Sequence, residues 1–575
     1  MKFFHVYNED SFKGLEKNGF LNRDSGFKIQ NVFSVPRERQ FNQIAKPGGR
    51  LHSLIKENKY PFYVDRMAGG ITYYKYNYDK KLLGEYAELL GEWFLGVQMH
   101  ESASNRRGAD WGKLIRATGK KGPYDPHFLD KNLKSPHAVT PDGEVLHDLS
   151  IGSIYEYAKL RYAESPWEYL EELRTLYLMR MEEVDGHLLP CDSGMQITWL
   201  FNDLGVKSFM PEVGCQIPMM RKEVTLARGV AKAYGKTWGT YYECWCYDRQ
   251  VKKYTMPCFN NDLSNEWYLT QEIHPDDFTA YGENGGSSRL LQDRIYHYTL
   301  MSGADYISEE WGLNCSYTDM HEFTLSSYGQ LKKNFISFAE SMRGITAKAP
   351  FAIVLPTKYY CLEIRDDYVY DAHRPYTYMR SSLSEVDETS IKHIEAVLDL
   401  IFGRNEKYYG NEGHTISNSL FGDVFDIIYE DSPLEAMERY EYLIDATQEG
   451  NFAKANADKS LRILESSDLE DLKGTLQRLI PEIMPCHVDA LCWLVSTDEN
   501  GRQFLSIFNN EGNTRSYDRG DVVDHDADRT VTVTFKEPVN LKVIREGYAP
   551  AEISKKDDLT WVVMVPAASF AILEF

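Results

Sequence analysis

Residues 303–312 read Gly-Ala-Asp-Tyr-Ile-Ser-Glu-Glu-Trp-Gly. An amphipathic helical pattern, Arg289 to Met301, runs into this segment, and a short apolar run then ends in two adjacent acids. Side chains alternate along a strand, so Tyr306, Ser308 and Glu310 share one face while Ile307 and Glu309 share the other. Ile307 is the apolar residue that belongs under a layer of helices. Glu310 is therefore expected to face the inside of the sheet, and is favoured over Glu309 as a reacting acid.

The same unit recurs toward the N-terminus. Short apolar runs at Phe3–Tyr7, Phe62–Val64, Phe94–Met99, His187–Leu189, Ser208–Met210, Trp238–Tyr242 and Asp305–Ser308 alternate with helical patterns at Lys81–Leu90, Trp167–Met181, Arg221–Tyr234 and Arg289–Met301. Strands alternating with helices predict a parallel sheet. Seven such units, with one short strand unrecognised, predict a (β/α)8 TIM barrel over residues 1–347. A doubly wound open sheet is the alternative, and no Gly-x-Gly-x-x-Gly turn supports it. The gaps from Met99 to His187 and from Cys246 to Gly286 exceed what a βα connection needs, which marks them as loops over the active face.

Two further units follow. FAIVL (Phe351–Leu355), a helical pattern around Ser390–Ile401, VFDIIY (Val424–Tyr429) and YLID (Tyr442–Asp445) predict a flavodoxin-like α/β domain over 348–486. From 487 to 575 the runs LCWLVS, QFLSIFNN, RTVTVTF, LKVIREG, TWVVMVP and SFAILEF are separated by Gly, Asn, Asp and Lys clusters, the pattern of an antiparallel β-sandwich.

Composition limits the partners. The 575 residues carry 64 Lys and Arg against 86 Asp and Glu, a net charge of −22, which argues against nucleic acid and membrane surfaces. The longest apolar-looking run, Trp561 to Leu573, contains Pro566 and Ser569 and falls short of the roughly 20 residues that span a bilayer. No signal-peptide pattern opens the sequence, and nine cysteines without a Cys-x-x-Cys pair suit reduced thiols, so a cytoplasmic protein is expected. Aromatic residues reach 13% (10 Trp, 39 Tyr, 27 Phe), an excess that needs a reason.

In a TIM barrel the reacting groups stand at the C-terminal ends of the strands. Those ends carry Asn8, Glu9 and Asp10; Asp65 and Arg66; His100 and Glu101; Asp192; Glu212; Glu243; and Glu309 with Glu310. A rim of acids is not how a phosphate site is built. It suits paired general acid and base chemistry, or the recognition of many hydroxyls. WGTYYECW (Trp238–Trp245) sets Glu243 among aromatic residues, surroundings that help a carboxyl keep its proton. Glu243 and Glu310 are the expected catalytic pair, with Glu212 of FMPEVG as the substitute. A retaining glycosidase needs two carboxyl groups about 5–5.5 Å apart; Glu212 with Glu310 and Glu101 with Glu243 are both candidate pairs, and the sequence does not decide between them. Asp65, Arg66, His100, Glu101, Asp192, Trp245, Glu309 and Trp311 are the expected substrate-binding groups. Trp93, Trp111, Trp245, Trp267 and Trp311 lie near strand ends or in long loops, where indole planes can pack on the C–H faces of sugars. No His-x-His or His-Glu-x-x-His pattern occurs, and neither metal nor cofactor is expected.

The order barrel, α/β domain, β domain resembles that of the family 42 β-galactosidases and related clan A glycoside hydrolases. GADYISEEWG is similar to the entry into the last barrel strand, KAPFAIVLP (Lys348–Pro356) to the opening strand of the second domain, and FDIIYED (Phe425–Asp431) to a later strand of it. The family's acid sits in an Asn-Glu pair after the fourth strand. The strand counted fourth here instead reads His187-Leu-Leu-Pro-Cys-Asp192. The resemblance implies a retaining, exo-acting glycosidase with a carbohydrate substrate, and a second domain that supports homo-oligomer formation and closes the pocket. Two other readings stay open: a non-catalytic carbohydrate-binding barrel, and a metal-dependent amidohydrolase-type barrel.

Overall fold

The structure, a computed structural model, describes residues 1–29, 37–65, 76–100, 166–192, 198–214, 220–244, 247–248, 268–269, 287–310, 312–319, 321–359, 384–403, 416–516 and 520–575. Eight parallel strands close into a barrel. In chain order they are β1 (Lys2–Val6), β2 (Ser25–Ile29), β3 (Phe62–Val64), β4 (Phe94–His100), β5 (Leu188–Asp192), β6 (Ser208–Gly214), β7 (Thr237–Glu243) and β8 (Tyr306–Glu310). The expected barrel is present, and β2 is the strand missing from the sequence reading. Its sequence, SGFKI, offers five residues with a lysine among them, too little apolar signal to register as a strand.

Strand ends also shift. β5 runs through Pro190 to Asp192, and β6 continues past Pro211 to Gly214. Glu212, Glu243 and Glu310 therefore lie within the last turns of paired strands, not in loops behind them. Asn8 belongs elsewhere. Its side chain accepts from the Ser11 amide at 2.7 Å and caps the helix Glu9–Asn18, drawing Glu9 and Asp10 into that helix's first turn. Glu9 then pairs with Arg50 at 3.2 Å on the surface.

The barrel interior is packed. Phe4, Tyr63, Leu95, Leu189, Cys191, Met210, Tyr241 and Tyr306 form one buried cluster. Three of these are tyrosines, and each hydroxyl finds a partner inside: Tyr63 with Ser308 at 2.7 Å, Tyr306 with Ser208 at 2.7 Å, and Tyr241 with Asp65 at 3.1 Å. Part of the aromatic excess is thus core that carries its own polar contacts. Gly239 of β7 makes room for this packing: it is in register with Tyr306, whose ring and carbonyl would meet an added Cβ at 2.3 Å.

After the barrel, Phe425–Tyr429, Phe351–Leu355, Tyr442–Asp445 and Ile463–Glu465 form a parallel four-stranded sheet in that order. It docks on the barrel helix Met220–Tyr234. Gly229 of that helix meets the Ile427 carbonyl so closely that an added Cβ would lie 2.2 Å from its oxygen. Arg221 binds Asp423 and Arg228 binds Asp426 across the contact, all four side chains buried. The remaining chain forms antiparallel sheets, one of five strands and one of four. The five-stranded sheet takes in Thr346–Ala347, which pairs with Cys492–Thr497. A hairpin, Asn513–Ser516 with Gly520–Val523, extends from this part of the chain toward the barrel. Among the described residues, no helix is long and apolar enough to cross a membrane.

Candidate active site

Alternation along the strands aims Lys28 (β2), His100 (β4), Glu212 (β6), Glu243 (β7) and Glu310 (β8) into the C-terminal mouth, and Asp65 follows β3 into the same space. All six are buried. His100 Nε2 lies 2.8 Å from a carboxylate oxygen of Glu212. One oxygen of Glu212, one of Glu310 and a ring nitrogen of His100 all lie within 4.8 Å of one another. The β7–β8 register sets Glu243 directly beside Glu310, and the β6–β7 register sets Glu212 beside Tyr241. Glu310 thus has Glu243 in register on the neighbouring strand and a Glu212 oxygen within 4.8 Å of one of its own.

A second group faces this cluster. The Lys28 ammonium is 3.4 Å from Asp65 and donates to the Glu309 carbonyl at 2.8 Å. It lies 4.8 Å from the centre of the Tyr241 ring, whose hydroxyl donates to the other oxygen of Asp65. The same ring packs at a steep angle against the His100 imidazole, with centroids 5.3 Å apart. Contacts therefore link Lys28, Asp65 and Tyr241 on one side of the mouth to His100 and Glu212 on the other, the Tyr241–His100 link being a ring contact and not a hydrogen bond.

The proton on the His100–Glu212 line can sit at either end. Imidazole Nε2–H donates to an ionised carboxylate, or a protonated carboxyl donates to neutral Nε2. Such a pair holds one exchangeable proton at the mouth, which is what general acid and base chemistry requires.

Glu309 is placed differently from Glu310. Its carboxylate faces the helical layer, taking hydrogen bonds from Tyr296, from Tyr328 at 2.6 Å and from Lys332 at 2.5 Å. It braces β8 against the helices and does not reach the mouth. Cys244, next to Glu243, is buried, and burial followed by the neighbouring Cys315 pushes its thiol well above the ordinary range. It stays protonated and is no candidate nucleophile. All five described cysteines are buried, and among the described residues none is in a disulfide.

Of the other expected site residues, Arg66, Glu101, Trp245 and Trp311 lie outside the described residues, as does the side chain of Asp192. Trp111 and Trp267 do too, along with most of both long loops. Trp93 sits before β4, with the Lys2 ammonium of the β1 start 5.7 Å from its ring. That is the N-terminal end of the barrel, opposite the mouth. Lys28 and Tyr241 were not anticipated. The available signal for Lys28 was a lysine between Phe27 and Ile29; Tyr241 could have been found from its parity with Glu243 on one strand.

No protein-family model matches the chain, and no curated protein matches it. Among solved structures the chain is similar to an alpha-L-fucosidase isoenzyme 2 from Paenibacillus thiaminolyticus. The identity is 11% and the TM-score 0.41, over 99% of this chain and 96% of that one. It is also similar to a GH5_18 protein from Streptomyces cattleya in complex with GlcNAc, at 9% identity and a TM-score of 0.28, over 81% of this chain and 99% of that one. Likenesses at these scores do not transfer an activity.

Proposed function

We propose that the chain is a glycoside hydrolase working by two carboxylates of the barrel mouth. The observation that carries this reading is the convergence of Glu212, Glu243 and Glu310 beside His100, with oxygens of Glu212 and Glu310 within 4.8 Å. A retaining mechanism needs carboxyl groups about 5–5.5 Å apart, whereas an inverting one leaves about 6.5–9.5 Å for a water. The closeness of Glu212 and Glu310 favours retention.

In this reading Glu212, sharing a proton with His100, protonates the leaving oxygen, and Glu310 attacks the anomeric carbon. Water then releases the sugar, with Glu212 acting as base. Glu243 was expected from sequence to be the partner of Glu310; beside it in register, it stands as the alternative acid or as a group orienting the sugar. Asp65, Arg66, His100, Glu101, Asp192, Trp245 and Trp311 are proposed to contact the carbohydrate. The proposal extends to exo action on an oligosaccharide by a cytoplasmic homo-oligomer.

The test is turnover of a panel of aryl glycosides, with the product anomer followed by NMR, for the parent and for Glu212→Gln, Glu243→Gln and Glu310→Gln. Loss of an acid–base or nucleophilic carboxylate is expected to lower kcat by about 100-fold or more. Three variants as fast as the parent would refute the assignment, and first-formed product of inverted configuration would refute retention.

One observation favours a second reading, a metal-dependent hydrolase. The spacing of His100, Glu212 and Glu310 also suits three ligands of one divalent cation. Turnover abolished by exhaustive chelation and restored by a divalent cation would replace the first reading with this one.

A further inference from the structure

The hairpin of the C-terminal β region reaches the barrel at the element that follows β7. Helix Arg289–Met301 begins at Ser288, whose hydroxyl accepts from the Leu291 amide at 3.1 Å. The next donors are satisfied from outside the barrel. Asp521 accepts from the Arg289 amide at 2.8 Å and from the Leu290 amide at 3.3 Å, and Asn513 donates to the Ser288 hydroxyl at 2.7 Å. The first turn of a barrel helix is thus capped by residues more than 220 positions away, with a carboxylate where the helix dipole favours one.

The contact continues to the mouth. Ser287 donates its amide to the Cys244 carbonyl at 2.8 Å, and its hydroxyl lies 2.5 Å from that of Tyr242. Ser287 therefore grips the residues on both sides of Glu243. The Cys244 thiol donates in turn to the Glu310 carbonyl. The hairpin also extends a small sheet: Arg515 pairs with Leu269 in parallel, and Tyr268–Leu269 pairs with Tyr247–Asp248, four residues beyond Glu243. The chain leaving β7 is held at two points by one hairpin.

We propose that Asn513 and Asp521 are positioning residues for the Glu243–Glu310 edge of the mouth, so that the C-terminal β region is part of the catalytic machinery's support. Neither residue reaches the mouth; each acts through Ser288, Arg289 and Ser287. Reacting groups displaced by about 1 Å lose on the order of 100-fold in rate. Releasing this anchor should therefore lower kcat and leave the overall fold standing. The kinetic consequence rests on the glycosidase reading, whereas the mechanical one does not.

The experiment uses the full chain and the variants Asp521→Ala, Asn513→Ala and the conservative Asp521→Asn, which keeps an acceptor oxygen. Amide hydrogen exchange is read on peptides covering 240–244 and 287–291, with 2–6 as the internal control. Exchange in Asp521→Ala and Asn513→Ala is expected to rise about tenfold or more in both target regions and not in the control, with Asp521→Asn near the parent. On any glycoside the parent hydrolyses, kcat should fall about tenfold or more with KM little changed, and Asp521→Asn should restore it. Faster exchange confined to 287–291 would overturn the proposal, because the cap would then not communicate with Glu243. So would unchanged exchange in both regions, or unchanged kcat despite faster exchange at 240–244. If the parent hydrolyses no glycoside, the glycosidase reading fails and the exchange data alone decide the positioning claim. A variant that unfolds would show fast exchange in 2–6 as well, and Asp521→Asn then carries the test, upheld by exchange near the parent's and overturned by faster exchange at 287–291 alone.

Discussion

Lys28 shows how one side chain holds a mouth together. Its ammonium and the Asp65 carboxylate are both removed from water, and each depends on the other and on nearby dipoles for compensation. Deleting one partner of a buried pair leaves the other uncompensated, typically at a cost of about 3–5 kcal/mol. Lys28→Met is expected to destabilise the chain by about that amount in denaturant titration; an unchanged midpoint would mean that the pair contributes nothing. His5 of β1 gives a pH dependence. Burial, with a smaller effect from Lys332, holds its imidazole well below the ordinary value of 6.5. The folded chain keeps His5 neutral, while the unfolded chain takes up a proton below that value, so the unfolded state binds more protons there. The contribution to stability is complete above pH 6.5 and is lost as pH falls below it. The denaturation midpoint of the parent should drop between about pH 7 and 5, and His5→Phe should flatten that slope.

At the scale of elements, β7 and β8 are built around a missing side chain. Tyr306 of β8 lies over Gly239 of β7, and its hydroxyl reaches Ser208 of β6. Gly239→Ala would push a methyl into a ring and a carbonyl that cannot both retreat. It is expected to cost about 1–3 kcal/mol, read as a lower thermal midpoint; a midpoint equal to the parent's would show that the interior can relax. The elements also explain which parts of the fold were legible. Seven barrel strands announced themselves as apolar runs. β2 did not, because Lys28 serves the interior while interrupting the pattern. The end of β5 was hidden by Pro190, which cannot donate to a sheet and so argues against a strand. Adding β2 makes Phe94–His100 the fourth strand, so the expectation built on Asp192 as the fourth strand's end moves to His100.

Across the whole molecule, helix Met220–Tyr234 ties the barrel to the parallel sheet that follows it. Asp426 receives Arg228 at 2.5 Å, Lys232 at 2.8 Å and the Tyr440 hydroxyl at 3.0 Å. Burial alone would raise its carboxyl, but Arg228 and then Lys232 outweigh this and hold it below the ordinary range. Asp426→Asn removes the charge that compensates two cations at this contact. It should cost about 3–5 kcal/mol and split one calorimetric transition into two, as the barrel and the sheet lose their coupling. A single transition at the parent's temperature would show that apolar packing alone joins them.

Local pattern by itself determined the alternation of strand and helix, hence a parallel barrel, and the supply of acids at strand ends. Those features follow from periodicity, which neighbouring residues set. It also marked Glu310 over Glu309, because alternation on one strand separates the two faces. Which acids meet was decided by the tertiary structure. The register between β6, β7 and β8 puts Glu310 beside Glu243 and near Glu212, and no single strand encodes its offset from the next. The same holds for Asn513 and Asp521, whose contacts with Ser288 and Arg289 join residues that only the folded chain brings within hydrogen-bonding distance.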